Sequence, residues 1–249
     1  EQVLVDGDPM AWEVSGAGRG AVPLMSRDAD DRPNFGGTPC DESVLQSIAA
    51  IKAQGKEVMF YPFVLMDIPA GNGLADPYGG AEQTTFPWRG RITASVAPGG
   101  VGTPDKTAAM DAEVAAFFGT AAVGDFSPSG ASVAYSGPVE WSYRRFILHY
   151  AHLCALSGGV EAFCIGSELR GLTQLRSAAE VFPVVAALQA LAADVRAILL
   201  GHLKLMRDNS PEESCHVMDP DSLLEAGVVL LGVRRAGQLL AVGGLKLLD

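Results

Sequence analysis

Long uninterrupted apolar runs are missing from this 249-residue chain, because Gly or a charged side chain breaks each one, so the expectation is that nothing spans a bilayer. Basic residues are also few: 18 Lys and Arg stand against 29 Asp and Glu, for a net charge of -11, and they are scattered. Nucleic acid is therefore excluded as a partner, since phosphate binding needs clustered cations. Cysteine is sparse, and Cys40, Cys154, Cys164 and Cys215 share no metal or redox spacing. Cys154 and Cys164 lie in apolar stretches and read as buried thiols, which suits a reducing compartment such as a bacterial cytoplasm. No Gly-rich phosphate loop and no Gly-x-Ser-x-Gly elbow is present, so no cofactor is expected. A signal peptide is lacking too. The chain opens with Glu1 in an extended-looking segment, and the expectation is a fragment or processed product whose upstream strand is absent.

What is present is ordinary globular composition, 48% apolar and 19% charged. Thr38 reads as a helix cap, Pro39 as the first helical residue and Asp41 as the capping-box acid. Val44, Leu45, Ile48 and Ile51 then share a face, and Gly55 supplies the stop. The apolar run from Val58 to Leu65 follows as a buried strand, which is the αβ unit of a parallel sheet. Residues 67–102 are rich in Gly and Pro and read as a long loop, which in a compact domain is either functional or a misread element. A helix is expected from Thr103-Pro104 to Gly119, burying Met110, Val114, Phe117 and Phe118, with a Gly/Ser-rich loop after it. Another is expected from Pro138 to Gly158, carrying Trp141, Phe146, Leu148 and Leu153. A strand over 160–165 leads to Gly166-Ser167-Glu168. Ser177 and Glu180 read as a capping box for a helix through Val184, Leu188, Leu191, Val195 and Ile198. Beyond a boundary near Gly201 the pattern changes to a short helix piece over 202–207 and an antiparallel hairpin turning at 235–238.

The fold class expected is α/β: a partial TIM (β/α) barrel over residues 1–200, then a short α+β fragment with a β-hairpin over 201–249. Glu168 is the sharpest chemical candidate, because a carboxylate at the end of a barrel strand faces the mouth where substrate binds. Glycosidic hydrolysis uses two such groups, one to protonate the leaving oxygen and one as nucleophile or base. The bland alternative is that Glu168 caps the next helix or pairs with Arg170. Tyr61 and Asp67 close the earlier strand on the same face, and Trp88-Arg89 offers a sugar-stacking platform in the loop. Ser167 and Arg170 flank the carboxylate and complete the candidate substrate-binding group. His149 and His152 share a helix face, but no third ligand accompanies them, so they read as helix-surface or helix-packing residues and no metal is expected.

Several ordered strings carry a resemblance. Phe35-Gly-Gly-Thr-Pro39, the run from Phe60 to Pro69, Pro87-Trp-Arg-Gly-Arg-Ile-Thr93, Trp141-Ser-Tyr-Arg-Arg-Phe146 and the run from Ile165 to Thr173 resemble the TIM-barrel-like domain of gene transfer agent tail proteins, over roughly residues 10–199. The resemblance implies a hub or baseplate component of a phage-like particle, with other tail proteins as partners and the tail tip as its place. That domain is in turn similar to β-mannanase-like glycoside hydrolases of the large retaining clan. The resemblance makes Glu168 the acid/base position and a polysaccharide the implied substrate. The clan has Asn before the acid, where this chain has Ser167.

Residues 202–216 and the closing hairpin resemble the start of a GNAT-type N-acetyltransferase. Three functions follow: a tail component with a glycoside-hydrolase-like barrel, a structural tail module without catalysis, and an acetyltransferase fragment joined by chance. The second carboxylate belongs on a later barrel strand, so no glycosidase turnover is expected of this chain alone.

Overall fold

Helix periodicity and strand-length apolar runs translate into five helices and eight short strands in a computed structural model, which describes residues 2–4, 40–66, 68–209, 230–235 and 238–244. The strands form four two-stranded sheets. β1 (Gln2–Leu4) runs parallel to β3 (Val64–Met66), and β2 (Met59–Phe60) runs parallel to β6 (Ala162–Phe163). β4 (Phe126–Ser129) and β5 (Ser132–Tyr135) form one antiparallel hairpin, and β7 (Leu230–Arg235) and β8 (Gln238–Gly244) form another. The parallel pairs and intervening helices make this a mixed α/β fold, and no closed barrel is formed by the described residues.

α1 (Asp41–Ala53) takes Cys40 as its N-cap, with Thr38 and Pro39 outside the described residues. The capping box expected between Thr38 and Asp41 therefore lies outside the described residues. Asp41 is buried, and partners on α3 and β5 hold its carboxylate. Val44 and Ile48 do face the core, whereas Ile51 at the helix end is largely exposed.

α2 (Ala109–Phe118) begins later than the Thr103-Pro104 signal, which instead builds a turn: the Thr103 hydroxyl accepts from the Asp105 N–H at 3.2 Å. Met110, Val114, Phe117 and Phe118 are buried as the spacing requires. The Gly/Ser-rich stretch after it contains the β4–β5 hairpin, which was not expected.

α3 (Tyr143–Leu156) also starts later than Pro138, because the Ser142 hydroxyl accepts from the Arg145 N–H and fixes the first turn. Trp141 therefore lies before the helix. Phe146, Leu148 and Leu153 are fully buried, each adding about 1.5–3 kcal/mol of apolar burial.

α4 (Arg170–Thr173) is a single turn. α5 (Pro183–Asn209) starts at its proline rather than at Ser177, and it runs through Gly201 without a break, so the separate piece expected over 202–207 is its last part. Its stretch Pro183–Gly201 is long and apolar enough to cross a membrane by composition, with mean hydropathy 1.7, contrary to the expectation that no segment is. Here it serves as a core helix: Val184, Leu188, Leu191, Val195 and Ile198 are buried, and α3 packs along it. Helix α3 is the centre of one apolar cluster that α1, α2, α5 and strands β2 to β6 share. Cys154 and Cys164 are buried free thiols in and beside that cluster, and Cys215 lies outside the described residues.

Candidate functional site

The parallel register of β2 and β6 sends both strands out on one side, and Cys164 continues the pairing by donating to the Phe60 carbonyl at 2.9 Å. The chain then turns through Ile165, Gly166 and Ser167 to Glu168. Tyr143 on α3 supports this turn, its buried phenol donating to the Ile165 carbonyl at 2.8 Å. Burial pushes that phenol far above its ordinary pKa, so it stays a proton donor. A Cβ at Gly166 would lie 2.9 Å from the Tyr143 oxygen, so a larger residue there would push that phenol aside. Glu168 itself adopts φ +54, a left-handed conformation that costs a non-glycine residue roughly 1–2 kcal/mol.

Two donors meet Glu168 from the long loop. The Trp88 indole N–H donates to Oε2 at 2.7 Å, and an Arg89 Nη lies 2.9 Å from the same oxygen. Arg89 also reaches back to Ser167, its Nε donating to the carbonyl at 3.3 Å and an Nη to the hydroxyl at 3.4 Å. The guanidinium lies 4.8 Å above the Phe63 ring, so a hydrophobic plate fixes its plane. The carboxylate remains half exposed, its side chain 50% accessible, and it opens on a cavity of about 290 Å3. Such a group can accept from a sugar hydroxyl, and the exposed Trp88 face can stack on a ring.

A glycine clasp holds the loop against the site. Gly171 of α4 packs so closely on the turn at residues 89–93 that a Cβ would meet the Ile92 carbonyl oxygen at 2.4 Å. The Thr93 hydroxyl closes the contact by donating to the Gly171 carbonyl at 3.2 Å.

Of the residues singled out from sequence, Glu168, Trp88, Arg89 and Ser167 are in mutual contact. Arg170 is exposed and lines the same cavity, but the ionic partner of Glu168 is Arg89 rather than Arg170. Tyr61 is exposed and touches the cluster indirectly, its ring 6.2 Å from Phe63. Asp67 lies outside the described residues. Phe63, Tyr143 and Gly171 were not anticipated. Their contacts are long-range, and the only local hint was Phe63 next to a strand end.

His149 and His152 do pack rather than stand free: His149 pairs with buried Asp41 at 2.9 Å, and His152 stacks on Phe126 at 5.2 Å.

Residues 141–211 match the GTA TIM-barrel-like domain, a span that holds α3, Glu168, α4 and all of α5. It excludes Trp88 and Arg89, and it bears in no way on the acetyltransferase resemblance of the hairpin. No curated protein matches the chain.

Proposed function

We propose that this chain is part of a phage-like gene transfer agent particle, at its tail hub or baseplate. There its partial TIM-barrel-like domain engages cell-surface or cell-wall polysaccharide at Glu168. One observation supports the reading above others: a carboxylate beyond the turn after β6, held between an exposed tryptophan and an arginine, inside the span that matches the GTA domain.

Oε2 is already an acceptor for Trp88 and Arg89, so Oε1 is the oxygen a glycosidic oxygen or sugar hydroxyl would reach. Trp88 supplies the stacking face, and Arg89 orients the carboxylate through Ser167. Retaining hydrolysis needs a second carboxylate about 5–5.5 Å away. Among the described residues, Glu168 is the only carboxylate lining its cavity. That observation favours a second reading, a non-catalytic structural tail module that does not bind glycan.

Calorimetric titration with manno-oligosaccharides and with soluble peptidoglycan fragments separates the two. The proposal expects one of these to bind, and both Glu168→Gln and Trp88→Ala to weaken it about tenfold. If neither glycan binds the folded chain, the structural reading replaces it. If hydrolysis is abolished by Glu168→Gln, the site is catalytic.

A further inference from the structure

A cavity of about 440 Å3, larger than that at Glu168 and sharing no lining residue with it, lies between α2, α4 and the long loop. Its size falls within the range of about 300–1,000 Å3 in which small-molecule ligands are held. Met66, Val114, Phe117, Leu172 and Leu175 give it an apolar floor that belongs to the core. The loop that walls it is preorganised. Asn72 donates to the carbonyls of Pro69 at 2.9 Å and Gln83 at 2.8 Å, and Glu82 accepts from the N–H groups of Gly71 and Gly73. A walled, preformed cavity spends little binding energy on ordering.

The charges at the rim are not balanced. Arg91 is already engaged: it lies 3.3 Å from Asp76 and 4.2 Å above the Tyr78 ring, whose hydroxyl donates to the Arg91 carbonyl. Glu113 of α2 accepts from the Ser95 N–H at 2.8 Å and the Ser95 hydroxyl at 2.6 Å, and no cation pairs with it among the described residues. The net charge of -11 adds a field of the same sign.

The geometry points to a second binding site, independent of Glu168, for a small organic amine with an apolar body. Its ammonium group pairs with Glu113, and its body lies on the floor formed by Met66, Phe117 and Leu175. A ligand carboxylate would face like charge at Glu113, and a fully hydroxylated one would leave the apolar floor unused.

Three probes with one apolar body test this by calorimetry on the whole chain at neutral pH: naphthylethylamine, naphthylethanol and naphthylacetate. The amine is expected to bind about tenfold more tightly than the acetate, with the alcohol between them. Glu113→Gln keeps an acceptor for Ser95 and should bring the three together, while Glu168→Gln changes none of them. Methyl shifts at Leu172 and Leu175 locate the bound probe whatever the variants do. Equal affinity for all three probes, binding without shifts at those methyls, or no binding at all would each overturn the proposal.

Discussion

Asp41 and His149, 108 residues apart in sequence, meet at 2.9 Å inside the protein and tie the first helix to the central one. The other Asp41 oxygen accepts from the Ser132 hydroxyl at 2.5 Å and the Val133 N–H at 3.3 Å, so the β4–β5 hairpin hangs on the same carboxylate. Asp41→Ala strands all three donors and should cost on the order of 3 kcal/mol, read from the urea midpoint. Asp41→Asn, which keeps an acceptor, should cost less. Equal stability of Asp41→Ala and wild type would mean the pair is not the junction it looks to be.

His152 sets a pH dependence. Burial is the main influence and lowers its pKa; a hydrogen bond at Val123 opposes this, and nearby His149 adds to the lowering. The unfolded residue titrates near about 6.5. As pH falls below that value, the unfolded chain takes up a proton that the folded one resists, so stability drops until the folded pKa is passed. His152→Phe keeps the stack on Phe126 and should flatten that fall in denaturation midpoints measured across mildly acidic pH.

Backbone strain at Glu168 gives a comparison of two small residues. At φ +54 glycine is at ease and alanine is not, so Glu168→Gly should be more stable than Glu168→Ala by about 1 kcal/mol. In an ordinary extended or helical position the order would be reversed. Thermal denaturation of the pair decides it.

Gly171→Ala should act on both stability and site. Its new Cβ collides with backbone rather than with a side chain that could rotate away, an overpacking worth about 1–3 kcal/mol. Because the displaced turn carries Arg89 and follows Trp88 directly, glycan affinity at Glu168 should fall as well. A variant that is destabilised but binds normally would detach the clasp from the site.

How much of this was legible beforehand depended on how local the cause was. The apolar spacing of Val184, Leu188, Leu191 and Val195 named the buried face of α5 correctly, because a helix face is written within a dozen residues. Proline signals misled at Pro104 and Pro138. Pro104 sits in a turn ahead of α2, and α3 begins where the Ser142 side chain caps it rather than at Pro138. The β4–β5 hairpin was hidden by its composition: Phe126 and Val133 are its only fully buried residues, so no alternating pattern stood out. At the site, strand-end position pointed to Glu168, but its partners Trp88 and Arg89 lie about eighty positions upstream. The same distance hid the contact of Asp41 with His149. Gly201, near which the composition changes, lies inside α5, which runs on to Asn209.

The hydrogen bond between the Trp88 indole and Glu168 has an optical consequence. The sequence holds three tryptophans, and this one points its N–H at a carboxylate in a half-open cavity. A molecule that takes Oε2 for itself must release the indole, and one that stacks on the ring must shield it from water. Either event alters the emission of Trp88, so the protein carries its own dye at the place where occupancy is in question.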